Sequence, residues 1–219
     1  MDRRVFRHPL AGWLCLVVLT LPMFASGCAG LLATAIYVVK GNRIPAEYNG
    51  LREKRVVVVC RTPAAMQFSS TNVTRELATE LGRRLQMNVS KIEVVDARDV
   101  DRWMDENEWD DPREVGKALD AQMIVDVDID HFSLYQGQTL YQGEVVYSIE
   151  VIDRDNEGDV VFKKQPPRLL WPPNYAIPTQ EKREPEFRRE FVGVLAEEIG
   201  RYFYPHDAHA DIAPHNPGM

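Results

Sequence analysis

Residues 55–60 read Arg55-Val56-Val57-Val58-Val59-Cys60 (RVVVVC), a β-branched run that no polar residue interrupts after Arg55. Such a run suits a strand buried on both faces in the middle of a sheet, in an α/β domain of two or three layers. Thr62-Pro63 closes it. Downstream, Ser69, Ser70, Thr71 and Asn72 are cap candidates for a helix in which Val73, Leu77, Leu81 and Leu85 recur every four residues, with Ala78 beside them. The periodicity predicts a one-faced helix ending near Met87.

Residues 91–95 (KIEVV) follow as a second short strand, and Asp96 opens a segment with Val100, Trp103 and Met104 on one helical face. A loop over 105–110 leads to Asp111-Pro112-Arg113-Glu114, a helix start in which Asp111 accepts from backbone donors, Pro112 suits the first turn and Glu114 reaches back. Residues 122–132 (QMIVDVDIDHF) then alternate apolar Val127 and Ile129 with Asp126, Asp128 and Asp130, a strand with one buried and one wet face. Strands over 143–153 and 159–163 make a hairpin around a turn closed by Gly158.

Six prolines crowd 165–185, too many for a ladder or a helix, so this segment reads as a long loop. Either it docks on its own domain, or it offers Trp171, Tyr175 and the nearby Arg168 as a partner surface. The last helix spans 186–203, with Phe187, Phe191, Val194, Leu195 and Ile199 on one stripe; Pro205 stops it, and 206–219 read as a disordered tail. The expected fold class is α/β, a mixed sheet with helices packed on it.

The amino terminus carries a different message. Arg3, Arg4 and Arg7 precede the uncharged apolar stretch 10–21 (LAGWLCLVVLTL), the order of a signal peptide. Phe24-Ala25-Ser26-Gly27-Cys28 then resembles the bacterial lipobox, with Ala25 where leucine is usual. The resemblance implies removal of residues 1–27 and acylation, palmitate included, of Cys28. It divides the chain into a signal peptide (1–27), a lipid-anchored tether (28–51), an α/β domain (52–204) and a tail (205–219). A single imperfect transmembrane anchor over 10–39 is the competing reading, and it makes the protein a membrane-spanning sensor. In both, the basic end stays cytoplasmic and the domain lies outside it.

The full chain has a net charge of −7, and loss of Arg3, Arg4, Arg7 and Asp2 takes it to about −9. That balance argues against nucleic acid, which demands a basic footprint, and against electrostatic adhesion to anionic lipid. Membrane contact then falls to the acyl chains, at about 0.8 kcal/mol per buried methylene. Cys15 leaves with the signal and Cys28 is consumed as a thioether, so Cys60 remains alone and reads as a small buried hydrophobe.

Asp126, Asp128 and Asp130 are the candidate metal ligands, because residues two apart on a strand share a face and carboxylates favour hard cations. The competing reading is a solvated strand face; on the metal reading the chain is a metal-dependent enzyme. The chain contains no Gly-x-Ser-x-Gly, no His-Glu-x-x-His and no phosphate-cradling glycine loop, so no catalytic residues and no cofactor are assigned.

Residues 56–162 resemble the curli-secretion lipoprotein superfamily and the amino-terminal domain of TolB-type proteins. The motifs are Ile92-Glu93-Val94-Val95-Asp96, then Ala118-Leu119-Asp120-Ala121-Gln122-Met123-Ile124, then Ile149-Glu150-Val151-Ile152-Asp153 followed by Gly158-Asp159-Val160-Val161. Where the family often has glycine between the helix and the central strand, this chain has Asp120. The resemblance implies a non-catalytic envelope lipoprotein acting in export or assembly, sometimes as an oligomeric ring. Partners are then the membrane and either another protein or copies of the chain itself. Ala29 after the cysteine fits sorting to the outer membrane, facing the periplasm.

Overall fold

The computed structural model describes residues 43–63 and 67–207, with side chains from residue 72 in the second stretch. The signal peptide, Cys28 and tail residues 208–219 lie outside the described residues. Among those described, no helix is long and apolar enough to cross a membrane.

The elements in chain order are β1 (Arg43–Ile44), β2 (Arg55–Arg61), α1 (Gln67–Asn88), β3 (Glu93–Val94), α2 (Ala97–Glu106), α3 (Pro112–Ala118), β4 (Met123–Gln136), β5 (Leu140–Asp153), β6 (Asp159–Lys164), β7 (Leu169–Trp171), β8 (Ile177–Pro178), α4 (Glu184–Gly200) and β9 (His206–Asp207). The main sheet has the order β3-β2-β4-β5-β6, with β7 and β8 also on β5; β1 and β9 pair with each other. β3 and β4 run parallel to β2, and the pairs from β4 onward are antiparallel. The fold is α/β with a mixed sheet, as the sequence predicts.

The two faces of the sheet are built differently. Val56, Val58 and Cys60 of β2, Val125, Val127 and Ile129 of β4, and the odd-numbered residues of β5 turn to the face covered by α1 and α4. Val57, Val59, Ile124 and Ile152 turn to the other face, under Val100 of α2 and Val115 of α3. The β-branched run of β2 is therefore buried on both sides. Stripe residues Val73, Leu77, Leu81 and Leu85 of α1 are buried, as are Phe187, Phe191 and Ile199 of α4. α3 starts on the capping box of Asp111 and Glu114.

Several boundaries differ from expectation for physical reasons. The Pro-rich segment forms two short edge strands: β7 falls in the proline-free stretch Leu169–Trp171, and in β8 Pro178 sits at the edge of the sheet, where proline need not donate to a ladder. Trp171 is 4% exposed and stacks on Phe187 and Phe191 with centroids 5.3 and 6.3 Å away. It is thus a core residue and not part of a partner surface. β5 passes close beneath the same helix at Gly143, where a side-chain carbon would lie 2.5 Å from the Phe191 ring. The hairpin of β4 and β5 is longer than the spacing suggests, 14 residues a side. Within the expected tether Leu51 is fully buried, and the first expected tail residues, His206–Asp207, form β9.

A candidate ligand-binding cleft at the carboxyl end of β2

β2 is followed by α1 on one face of the sheet and by β3 on one side. The chain then returns through α2 and α3 on the opposite face and enters β4 on the other side of β2. Two crossovers that leave neighbouring parallel strands in opposite directions create a crevice outside the strands' carboxyl ends, where ligands bind in open α/β sheets. A cleft of about 570 Å3 lies there, within the range of small-ligand sites. Val58 and Cys60 of β2, Ala78 of α1 and Val100 and Met104 of α2 give it an apolar floor, and Trp109 stands in its wall.

The polar rim is organised by two arginines. Arg61, at the end of β2, is bound bidentately by Asp126, with Nε to Oδ1 at 2.9 Å and a terminal nitrogen to Oδ2 at 2.6 Å. Asp128 stands 3.5 Å from the same guanidinium. Cross-strand register explains the grip, because Val59 opposes Asp126 and Arg61 opposes Asp128. Arg75 of α1 reaches across the cleft to α2, 2.6 Å from Asp105 and 3.8 Å from Asp101. Each arginine is thus matched by two carboxylates. Asp110 and Asp130 also line the cleft.

Asp126 is only 3% exposed. Burial raises its pKa, against the opposing pull of Arg61, and its hydrogen bond in turn raises that of Arg61. Burial likewise raises Asp101, with Arg75 opposing and Asp105 adding to the rise. The Cys60 thiol is pushed up by burial and by Asp126 and Asp101, which disfavours the thiolate.

The three aspartates proposed as metal ligands do not act as one set. A bulge between Ile129 and His131 leaves Asp130 without a cross-strand partner and switches the parity of β4, so that Phe132 and Leu134 face the α1/α4 core. Asp126 and Asp128 are turned onto Arg61 instead, and among the described residues no three ligating side chains are grouped to hold a metal ion. Arg168 is paired with Glu144 at 3.0 Å, while Tyr175 stands 58% exposed. Sequence patterning offers the acidic segment 105–111 with Trp109 either as a partner face or as a solvated loop, and Asp105, Trp109 and Asp110 line the cleft. Arg61, Arg75 and Asp101 carry no such signal, and their one available pointer is a strand of the RVVVVC type ending in Arg-Thr-Pro.

No family model matches the chain, and no curated protein matches it. Solved structures similar to it include the PelC dodecamer from Paraburkholderia phytofirmans, at 10% identity over 73% of this chain and 93% of that one, with a TM-score of 0.44. Lipoprotein GNA1162 from Neisseria meningitidis follows at 11% identity, 66% and 92% coverage and a TM-score of 0.40. A minor lipoprotein from Acinetobacter baumannii has 14% identity, 68% and 91% coverage and a TM-score of 0.34. Likeness at this level assigns no role to any residue of this chain.

Proposed function

We propose that this chain is a non-catalytic lipoprotein of the cell envelope, anchored through Cys28 to the outer membrane and facing the periplasm, where it binds or scaffolds a partner, copies of itself included. The observation that carries the reading is the order of basic end, apolar stretch and Phe24-Ala25-Ser26-Gly27-Cys28. The cleft chemistry supports it: the arginines are held in ion pairs, and burial pushes the thiol of the one cysteine there up, away from the thiolate. Neither the paired arginines nor that thiol is the activated nucleophile that hydrolysis requires.

Incorporation of a palmitate analogue tests the anchor. Wild-type protein should take up the label, lose residues 1–27 by intact mass and fractionate with the outer membrane, while Cys28→Ser should lose both label and processing. A full-length unlabelled chain overturns the reading. Cross-linking of detergent-extracted protein tests the scaffold: a defined oligomer or heteromer supports it, and a monomer without partner overturns it.

A further inference from the structure

We infer that the cleft at the carboxyl end of β2 takes an aliphatic ammonium group, a primary amine on an apolar stem. The inference gives a ligand class to the cleft and rests on the reading that the cleft binds instead of catalysing. Topology puts a crevice at this place whatever its charge, and the cleft found there has a volume of about 570 Å3. One wall residue, Thr62, has its Oγ1 buried with no hydrogen-bond partner among the described residues, and such a group is ordinarily satisfied.

Charge sets the ligand's sign. Arg61 and Arg75 are already neutralised by Asp128 and Asp126 and by Asp101 and Asp105. At Arg61 an anion would have to displace a carboxylate from a bidentate, partly buried pair, which is unfavourable; at the more exposed Arg75 it would meet Asp101 and Asp105. Asp110 and Asp130 add two further negative charges on the rim. An ammonium group needs no pair to be broken, and Trp109, which lines the cleft, is a side chain to which a cation is attracted. The apolar floor of Val58, Ala78 and Met104 suits the methylene stem. A bare divalent ion gains nothing from that floor and finds no group of three ligands among the described residues.

The test is calorimetric titration of the full-length protein in detergent, with Trp109 fluorescence as a second readout. The probes are spermidine, a lysine-rich peptide, magnesium and inorganic phosphate. Saturable binding of spermidine or of the peptide is expected; tighter binding of the first marks a free polyamine, and of the second a lysine side chain of a partner. The double change Asp110→Asn and Asp130→Asn touches two exposed residues, so the fold is kept, and should weaken the amine roughly tenfold. Glu108→Gln, exposed and outside the cleft, should leave affinity unchanged.

Equal weakening by Glu108→Gln overturns the inference, because it reduces the effect to general charge attraction. Preference for magnesium or phosphate, or no saturable amine binding, also overturns it. Palmitate labelling at Cys28 is read separately, so failure of the anchor and failure of the amine site are distinguishable.

Discussion

The two faces of the sheet divide the work of the molecule. The α1/α4 face is filled by large side chains in ring contact: Tyr141 stacks on Phe187 at 4.9 Å, Trp171 stacks on Phe187, and Phe132 tilts against Phe191 at 5.4 Å. The α2/α3 face buries small residues, Val57, Val59, Val115 and Ala121 among them, and gives way to an ionic row of Arg61, Asp126, Asp128, Glu150 and Lys163 across four strands. A face that is apolar throughout leaves little room for chemistry, whereas one that changes from apolar to ionic has an edge at which a ligand can be sorted by charge. The cleft lies where that ionic edge meets the end of β2, and its lining draws on both faces, Val58, Cys60 and Ala78 from the α1 side and Val100 and Met104 from the α2 side.

The strongest test of this division is Phe187→Ala. Phe187 is fully buried between Tyr141 and Trp171, and its removal leaves a cavity that stacked rings cannot collapse to fill. A loss of about 3–5 kcal/mol is expected in chemical denaturation. A loss below about 1 kcal/mol, the ordinary cost of a point change, would mean that the aromatic face does not dominate stability.

On the opposite face the expected loss is smaller and has another origin. Arg61→Leu leaves Asp126 buried without its cation, which should cost about 3 kcal/mol. Combining it with Asp126→Leu removes both charges, so the double variant should recover most of that loss. Additive losses in the double variant would show that Arg61 and Asp126 contribute separately and that their pairing is not what organises the end of β2.

Acid titration sharpens the same point. Burial raises the Asp126 carboxyl above its ordinary value, so between the two values the folded protein binds more protons than the unfolded chain. The stability due to this group is complete below the ordinary carboxylate range and is lost as pH rises through the raised value. Asp101 shifts in the same direction, so the comparison must be made against Asp126→Asn. The stability of wild type relative to that variant should fall as pH climbs through this window; a rise would mean that Arg61, not burial, sets the carboxyl.

What was legible in the sequence follows the same division. Repeats on one face, such as Val73, Leu77, Leu81 and Leu85 or Phe187 and Phe191, announce their helices because each position reports on a single neighbour. The cleft is assembled from β2, α1, α2, the segment after α2 and β4, and its existence depends on strand order, which no local window contains. The bulge at Asp130 is likewise set by pairing with Tyr147 and Val146 on β5, so a strict alternation read along β4 alone places that aspartate on the wrong footing. Prolines misled in the opposite direction, since the rule against them in strands relaxes at the edge of a sheet.

The smallest expected effect concerns the junction between α3 and β4, where the resemblance expects glycine and the chain has Asp120. The structure places Asp120 at φ 51°, in the left-handed region just after the helix. Glycine adopts that conformation freely and aspartate at a modest cost. Asp120 also holds Arg154 at 2.9 Å, but its own side chain is 87% exposed, and such a pair contributes little. Asp120→Gly should therefore stabilise the domain by roughly 0.5 kcal/mol while leaving cleft binding unchanged, since Asp120 does not line the cleft. A loss of stability would mean that the ion pair to Arg154 outweighs backbone strain. The layer beneath the cleft would then be held by surface charge as well as by its small apolar core.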